Sequence, residues 1–262
     1  MVSTADLRLV FGLVASTPEG DASAFFDALA AWMRAESGVH LERKALPSYR
    51  ALAESVRAGE SDLAWLPPVV YAWLAEGVTP FGCIVRGGST QYAATLVALA
   101  GSERHALADL AGARAGWVDP WSAAGYVVPR IELARAGIDP AATFAKETFY
   151  GSHQEALRAL ARGDCDVAGT YEGAWSEQAD LSVRVIATFG SIPSDVIAAR
   201  RNLGPTEYER ALAALRKGCS DPAGRTLVRA VFNGDELREG IDPGHEALRS
   251  ALETGTANGL FD

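Results

Sequence analysis

Residues 59–68 read Gly-Glu-Ser-Asp-Leu-Ala-Trp-Leu-Pro-Pro, and this stretch contains the alternation that decides the fold. Gly59 ends a helical pattern over residues 48–58. The apolar run 62–66 predicts a strand, and the two prolines after it are typical of a helix start. Helix, strand and helix therefore follow one another within 30 residues.

The alternation continues in both directions along the chain. Apolar runs at 7–14 and 39–46 predict two earlier strands, with an amphipathic helix between them. A second strand–helix series lies within 113–169, and helical patterns within 206–253 close the chain. Such an order predicts an α/β fold in which each sheet is mainly parallel and flanked by helices.

Two apolar runs interrupt this order. Residues 81–85 and 92–100 are separated by Arg-Gly-Gly-Ser at 86–89, with no helix between them. Glycines in such a connection can absorb backbone rotation, so the strands on either side of it are candidate hinges. We predict two lobes joined by two hinge strands: lobe 1 from residues 1–86 and 188–262, and lobe 2 from residues 87–187.

Composition excludes several classes of partner. The formal net charge of -9 argues against binding nucleic acid and against binding anionic membrane surfaces. The hydrophobic fraction of 48% is ample for a buried core. The three cysteines are far apart and show no metal-type spacing, so we expect no disulfide framework and no metal or other cofactor. The N-terminus shows no secretory signal, and no apolar run is long enough to insert into a membrane.

Two strand-to-helix turns are candidate ligand sites. The first is Asp-Pro-Trp-Ser-Ala-Ala-Gly at 119–125, where small residues at a helix start leave backbone N–H groups available to an anion. An ordinary serine N-cap explains the same pattern. Pro129 implies either a kink in this helix or a later helix start.

The second turn places a histidine at a helix start. Ser152 and Glu155 form an S-x-x-E capping-box pattern, and His153 lies between them at the predicted carboxyl end of the sheet. Ligands of open α/β sheets bind at that end. A lone surface histidine is usually inert, so the pattern alone leaves both interpretations open.

Enzyme motifs are missing from the sequence. Ser122 lacks the G-x-S-x-G context of a nucleophile, and there is no P-loop, dinucleotide-binding glycine motif or HExxH. Three tryptophans, Trp65, Trp73 and Trp117, are expected to pack in the core rather than to stack on a ligand. We therefore predict that the protein is not an enzyme.

The ordered motifs resemble those of the substrate-binding proteins of phosphate, phosphite and phosphonate ABC transporters, which have the type II periplasmic-binding fold. The resemblance runs from about Leu7 to Leu212. The matching stretches are Tyr49–Leu52, residues 59–68 with Tyr71, Leu107–Gly112, residues 119–129, Gly137–Pro140, Phe149–His153, Gly163–Val167, and Ile192–Asp195 with Arg200.

The resemblance implies a set of ligand-binding residues. Tyr49 and Tyr92 match aromatic hydroxyl contributors, and His153 matches a histidine that contacts the ligand. Asp195 matches an acidic residue that faces an amino group or a protonated oxygen of the ligand, and Glu172 matches another acid. The anion-binding turn corresponds to Ser122, Ala123 and Ala124.

One departure from the family pattern concerns that turn. The family usually has Ser-Thr-Ser-Gly where this chain has Ser-Ala-Ala-Gly, so two hydroxyl donors are missing. Each charge-assisted hydrogen bond contributes roughly 1.5–3 kcal/mol, so we expect phosphate and simple phosphonates to bind weakly.

The resemblance implies a receptor that closes around a small polar, anionic ligand of the phosphonate, phosphite or phosphate type and presents it to an ABC permease. It also implies a periplasmic location, although without a visible signal a cytoplasmic one stays open. The alternative is an intracellular ligand sensor or a biosynthetic enzyme on the same fold.

Overall fold

The computed structural model describes residues 6–15, 21–178 and 181–261, and it divides into two compact units. Unit 1 comprises Met1–Gln91 and Ser194–Asp242, and unit 2 comprises Tyr92–Pro193 and Pro243–Asp262. The chain therefore passes between the units three times, where we expected two hinge strands. Residues 243–262, which we predicted in lobe 1, group with unit 2 in the structure, and the other two boundaries differ from the predicted ones by five to six residues.

Unit 1 contains one six-stranded sheet and five helices longer than a single turn among the described residues. In chain order these are β1 (Leu7–Val14), α1 (Asp21–Ser37), β2 (Val39–Leu46), α2 (Tyr49–Arg57), β3 (Leu63–Leu66), α3 (Pro68–Leu74), β4 (Val78–Val85), β10 (Val196–Arg200), α7 (Pro205–Ser220), α8 (Pro222–Phe232) and β11 (Glu236–Glu239). The strand order is β11-β4-β10-β3-β1-β2.

The sheet of unit 1 is mixed, so the expectation of a mainly parallel sheet is wrong here. Strand β1 pairs parallel with β2 and β3, but β10 pairs antiparallel with β3 and β4, and β11 antiparallel with β4. Parallel neighbours need a crossover connection on the same sheet. The chain leaves unit 1 after β4 and re-enters it just before β10. These two strands therefore need no crossover helix between them and can pair antiparallel.

Aromatic side chains fill the core of unit 1. Phe11 and Phe26 pack with ring centroids 5.4 Å apart, and Phe232 contacts both Phe11 and Trp65. Trp65 thus packs against the core, as we expected. Trp73 does not: it is 47% exposed and lies beside Arg57, whose guanidinium carbon is 4.8 Å from the ring centroid.

Unit 2 is built on a five-stranded sheet. Its elements are β5 (Gln91–Leu99), β6 (Arg114–Trp117), α4 (Val128–Arg135), α5 (Pro140–Thr143), β7 (Lys146–Phe149), α6 (His153–Arg162), β8 (Val167–Tyr171), β9 (Val183–Pro193) and α9 (Gly244–Ala257). The strand order is β7-β6-β8-β5-β9, in which β6 pairs parallel with β7 and β8 while β5 pairs antiparallel with β8. This sheet is also mixed. Trp117 is fully buried in it, as we expected.

Helix α9 belongs to unit 2 because of specific contacts near its end. The buried Arg130 donates from Nε to the Leu260 carbonyl at 2.9 Å and from Nη1 to Glu147 at 2.6 Å. Phe261 lies against Tyr126. The contacts of Arg130 with Leu260 and of Tyr126 with Phe261 join residues more than 100 positions apart in the chain, so local patterning does not reveal them. Within the described ranges we find no helix whose length and apolar content would let it span a membrane.

Candidate ligand-binding site

The candidate acid of unit 1, Asp195, is held by a cation. It lies between β9 and β10, and its Oδ2 accepts a hydrogen bond from Nη2 of Arg86 at 2.9 Å. The Asp195 side chain is 16% exposed, so this ion pair is largely shielded from water. Sequence reasoning had placed Arg86 in a hinge and missed its role.

The Arg86 side chain makes three further hydrogen bonds within unit 1. Its Nη1 donates to Oγ of Ser194 at 2.9 Å, its Nε donates to the Asn233 carbonyl at 2.7 Å, and Nη2 also reaches the Phe232 carbonyl at 3.1 Å. The guanidinium therefore joins the end of β4, the start of β10 and the end of α8. A signal was present in the sequence, since Arg86 is the one charged residue in the 86–90 connection.

Tyr49, the other candidate in unit 1, is the first residue of α2. The preceding Ser48 caps this helix, and its Oγ accepts from the Ala51 amide at 3.1 Å. Tyr49 is buried, with 8% of its surface exposed. The cap determines where the helix begins and hence where the tyrosine ring lies.

The turn at Ser122 in unit 2 is wider than an ordinary α-helix start, because the Val127 amide donates to the Ser122 carbonyl five residues earlier. A π-helical turn spans Ala123–Val127, and α4 then follows, with Pro129 in its first turn. The proline thus marks a later start of the α-helix rather than a kink. Gly125 is required at its position because a Cβ there would clash with the side chain of Val118.

The Ser122 side chain is used by its own turn. It is 2% exposed, and its Oγ accepts from the Gly125 amide at 3.1 Å, which is the N-cap interaction. Ala123 and Ala124 are also buried. Within the described part of the chain, neither the Ala123 amide nor the Ala124 amide donates a hydrogen bond, as is usual for the first amides of a helix. The backbone donors that this turn offers are therefore the Ala123 and Ala124 N–H groups.

His153 is the first residue of α6, directly after the cap. Oγ of Ser152 accepts from the Glu155 amide at 3.1 Å, which confirms the serine cap. The Glu155 carboxylate pairs with Arg158 instead of completing the predicted box. The ring of His153 is held on two sides: Nδ1 is 3.0 Å from Oγ1 of Thr170, and the ring packs edge-on against Tyr171.

Both turns lie at the carboxyl end of the parallel strands in the unit 2 sheet. Strands β6 and β7 are parallel neighbours with Trp117 opposite Phe149, and beyond them the Gly151 amide donates to the Val118 carbonyl at 2.8 Å. The Ser122 and His153 turns therefore follow the carboxyl ends of adjacent strands, where ligands of open α/β sheets bind.

Tyr92 and Glu172 lie on the neighbouring antiparallel pair. The Glu172 amide donates to the Ala93 carbonyl at 3.0 Å, which places Glu172 across from the start of β5 next to Tyr92. Glu172 is exposed and directly follows Tyr171, the residue that packs on His153. Four of the predicted residues or turns are thus grouped within unit 2. Across the described residues, no group of three or more His, Cys, Asp or Glu side chains is arranged to hold a metal ion.

Solved structures with the same fold define the class of protein. A binding protein component of an ABC phosphonate transporter from Pseudomonas aeruginosa superposes with a TM-score of 0.85 at 19% identity, over 96% of this chain and 87% of that chain. PhnD1 of Prochlorococcus marinus, in complex with methylphosphonate, gives a TM-score of 0.81 at 13% identity, over 94% and 97% of the two chains. The fold is that of the two-lobed type II periplasmic binding proteins.

Sequence comparison identifies the family. The model of the periplasmic substrate-binding proteins of phosphonate ABC transporters matches residues 11–242, and the chain belongs to this family. The phosphate-import protein PhnD of Mycolicibacterium smegmatis is 26% identical over 211 residues. That match covers 72% of this chain but only 65% of the relative's length, less than two thirds of it. The family consists of transport binding proteins rather than enzymes, and the resemblance inferred from the motifs is confirmed.

Proposed function

We propose that this protein binds a small tetrahedral oxyanion of the phosphonate, phosphite or phosphate type and presents it to an ABC permease, without catalysing a reaction. The observation that carries the proposal is the pair of adjacent turns in unit 2. One offers the Ala123 and Ala124 amides at a helix start, and the other offers His153 at the start of α6. Helix starts carry partial positive charge and N–H donors, which favour an anion.

The local chemistry is compatible with an acidic protein. A net charge of -9 disfavours polyanions, but a compact anion needs only a few converging donors. Names of relatives agree with this ligand class, since one is called a phosphate-import protein and another was solved with methylphosphonate. A periplasmic location follows from the description of the family and stays a prediction.

The missing hydroxyls predict modest affinity. Ala123 and Ala124 replace residues that supply hydroxyl donors in the family, and Oγ of Ser122 accepts a hydrogen bond within its own turn. Ser122 can still donate its own hydroxyl proton, because accepting from Gly125 leaves that proton uncommitted. We therefore expect one side-chain hydroxyl and two backbone amides at this turn.

Calorimetry on the purified protein tests the proposal. Phosphate, phosphite and methylphosphonate are titrated at matched ionic strength, with methanesulfonate as a tetrahedral anion of another class. We expect saturable binding of at least one phosphorus oxyanion, and a loss of at least about tenfold in His153→Ala, because a hydrogen bond to a charged group contributes roughly 1.5–3 kcal/mol.

His105→Ala is the matched control, since His105 is an exposed histidine of the same unit. It should bind like the unmodified protein. Absence of binding by all three phosphorus oxyanions, or equal affinity in His153→Ala and His105→Ala, would overturn the proposal.

A further inference from the structure

We infer that Thr170 is a positioning residue that sets the protonation of His153, so that the neutral imidazole carries its proton on Nε2. Thr170 lies in β8, and its Oγ1 is 3.0 Å from Nδ1 of His153. Its consequence for ligand binding rests on the proposed function, but the protonation pattern itself belongs to the ligand-free protein.

The argument begins with the burial of the threonine. Thr170 is fully buried, and across the strand pair it faces Thr95, which is also fully buried. The Thr95 hydroxyl donates to the Thr170 carbonyl at 3.4 Å, so it does not serve the Thr170 hydroxyl. Among the residues that the structure describes, Nδ1 of His153 is the one hydrogen-bond partner of Oγ1 of Thr170.

A buried hydroxyl with one partner has two possible arrangements. If Nδ1 carried the proton and donated to Oγ1, the hydroxyl proton of Thr170 would be left in a dry site without an acceptor. An unsatisfied buried donor is costly, whereas a spare lone pair on oxygen is tolerated more readily. The favoured arrangement is therefore O–H of Thr170 donating to an unprotonated Nδ1, with the imidazole proton on Nε2.

Two features of the same site support a neutral ring. His153 is the first residue of α6, where the partial positive charge of the helix start disfavours a second positive charge. Protonation at Nδ1 would also force the Thr170 hydroxyl to turn away from its one partner. Tyr171 packs edge-on against the ring, with centroids 4.9 Å apart, and restricts its rotation. His153 is thus held as a neutral imidazole that carries its proton on Nε2.

Long-range ¹H–¹⁵N spectra of the imidazoles, recorded on the ligand-free protein at about pH 8, test the inference. Disappearance of one set of signals in His153→Ala assigns His153. We expect the unmodified protein to show the Nε2–H tautomer. Thr170→Val, which keeps the side-chain shape, should give a mixture of tautomers, while Thr170→Ser should retain Nε2–H. Thr95→Val is the matched control and should leave the spectrum unchanged.

Binding of phosphate by the same variants provides the second readout. Thr170→Val should bind about three- to tenfold more weakly, the equivalent of one neutral hydrogen bond, and Thr170→Ser should bind like the unmodified protein. In the His153→Ala background Thr170→Val should have no further effect. An Nδ1–H tautomer in the unmodified protein, or a tautomer that Thr170→Val does not alter, would overturn the inference even if phosphate binds. The expected tautomer without binding of phosphate, phosphite or methylphosphonate would leave this inference standing and contradict the proposed function.

Discussion

The two units hold their candidate ligand residues by different means. In unit 1 the carboxylate of Asp195 is paired with Arg86, whose other bonds run to Ser194 and to two backbone carbonyls. In unit 2 the two candidate turns are held by neutral hydrogen bonds, through Ser122 and through the contact of His153 with Thr170. The negative charge of Asp195 is thus balanced inside its own unit, while unit 2 presents neutral donors. The comparison supports the proposal that unit 2 recognises the anion, because the Asp195 carboxylate of unit 1 is already paired with Arg86.

Removing the cation from unit 1 should have the largest effect on stability. Arg86→Met leaves Asp195 as an unpaired, mostly buried carboxylate and takes the donor from two carbonyls, so we expect a loss of about 2 kcal/mol in the free energy of unfolding. Urea denaturation measures it. Arg50→Met is the control, because Arg50 pairs with Glu54 on the exposed face of α2. Its cost should be below about 0.5 kcal/mol. Equal losses in the two variants would show that the Arg86 contacts do not stabilise unit 1.

Removing the serine caps of unit 2 should have a smaller effect that differs between the turns. Ser122→Ala leaves the Gly125 amide without its acceptor in a buried turn, and we expect a cost of about 2 kcal/mol or slightly less. Ser152 is partly exposed, so water can replace its hydroxyl, and Ser152→Ala should cost about 1 kcal/mol or less. Thermal unfolding of both variants gives the comparison. A larger loss in Ser152→Ala would contradict the assignment of Ser122 as the more buried cap.

The local parts of this structure were predictable from sequence, and the long-range parts were not. The Ser122 and Ser152 helix starts follow from short patterns that encode caps, and the family motifs located both turns correctly along the chain. The Arg86–Asp195 pair joins residues 109 positions apart, and such a contact has no local pattern. The same holds for Arg130 and Leu260, which place α9 in unit 2. The direction of a strand in a mixed sheet also depends on where the chain re-enters the unit after leaving it. The hydrophobic periodicity of the sequence does not show that position.

The ion pair of Arg114 with Asp166, at the amino ends of β6 and β8, should make a smaller, pH-dependent contribution to the free energy of unfolding. Asp166 immediately precedes β8, and the hydrogen bond from the Arg114 side chain lowers the pKa of its carboxyl, against an opposing effect of burial. Because the folded-state pKa lies below the unfolded value, the stabilisation is present near neutral pH and is lost as pH falls through the folded-state pKa.

Asp166→Asn should therefore reduce stability at pH 7 by less than either serine variant does, since the Arg114–Asp166 pair is partly exposed. The difference from the unmodified protein should disappear at acid pH. Urea denaturation at several pH values measures this trend, and ligand affinity should not change, because Asp166 lies at the amino end of β8 and Thr170 near its carboxyl end. A difference that grows as pH falls would contradict the assigned direction of the pKa shift.

The most direct test of the account is a titration of the ¹⁵N-labelled protein with phosphate and methylphosphonate, followed through the backbone amide signals. If unit 2 recognises the anion, the amides of Ala123, Ala124 and His153 should show saturable shifts with one common dissociation constant, since these groups lie at the two helix starts. The shifts should be retained in His105→Ala and weakened in His153→Ala. Saturable shifts that leave these three amides unchanged, or no saturable shifts with either anion, would contradict the proposal that unit 2 recognises the anion.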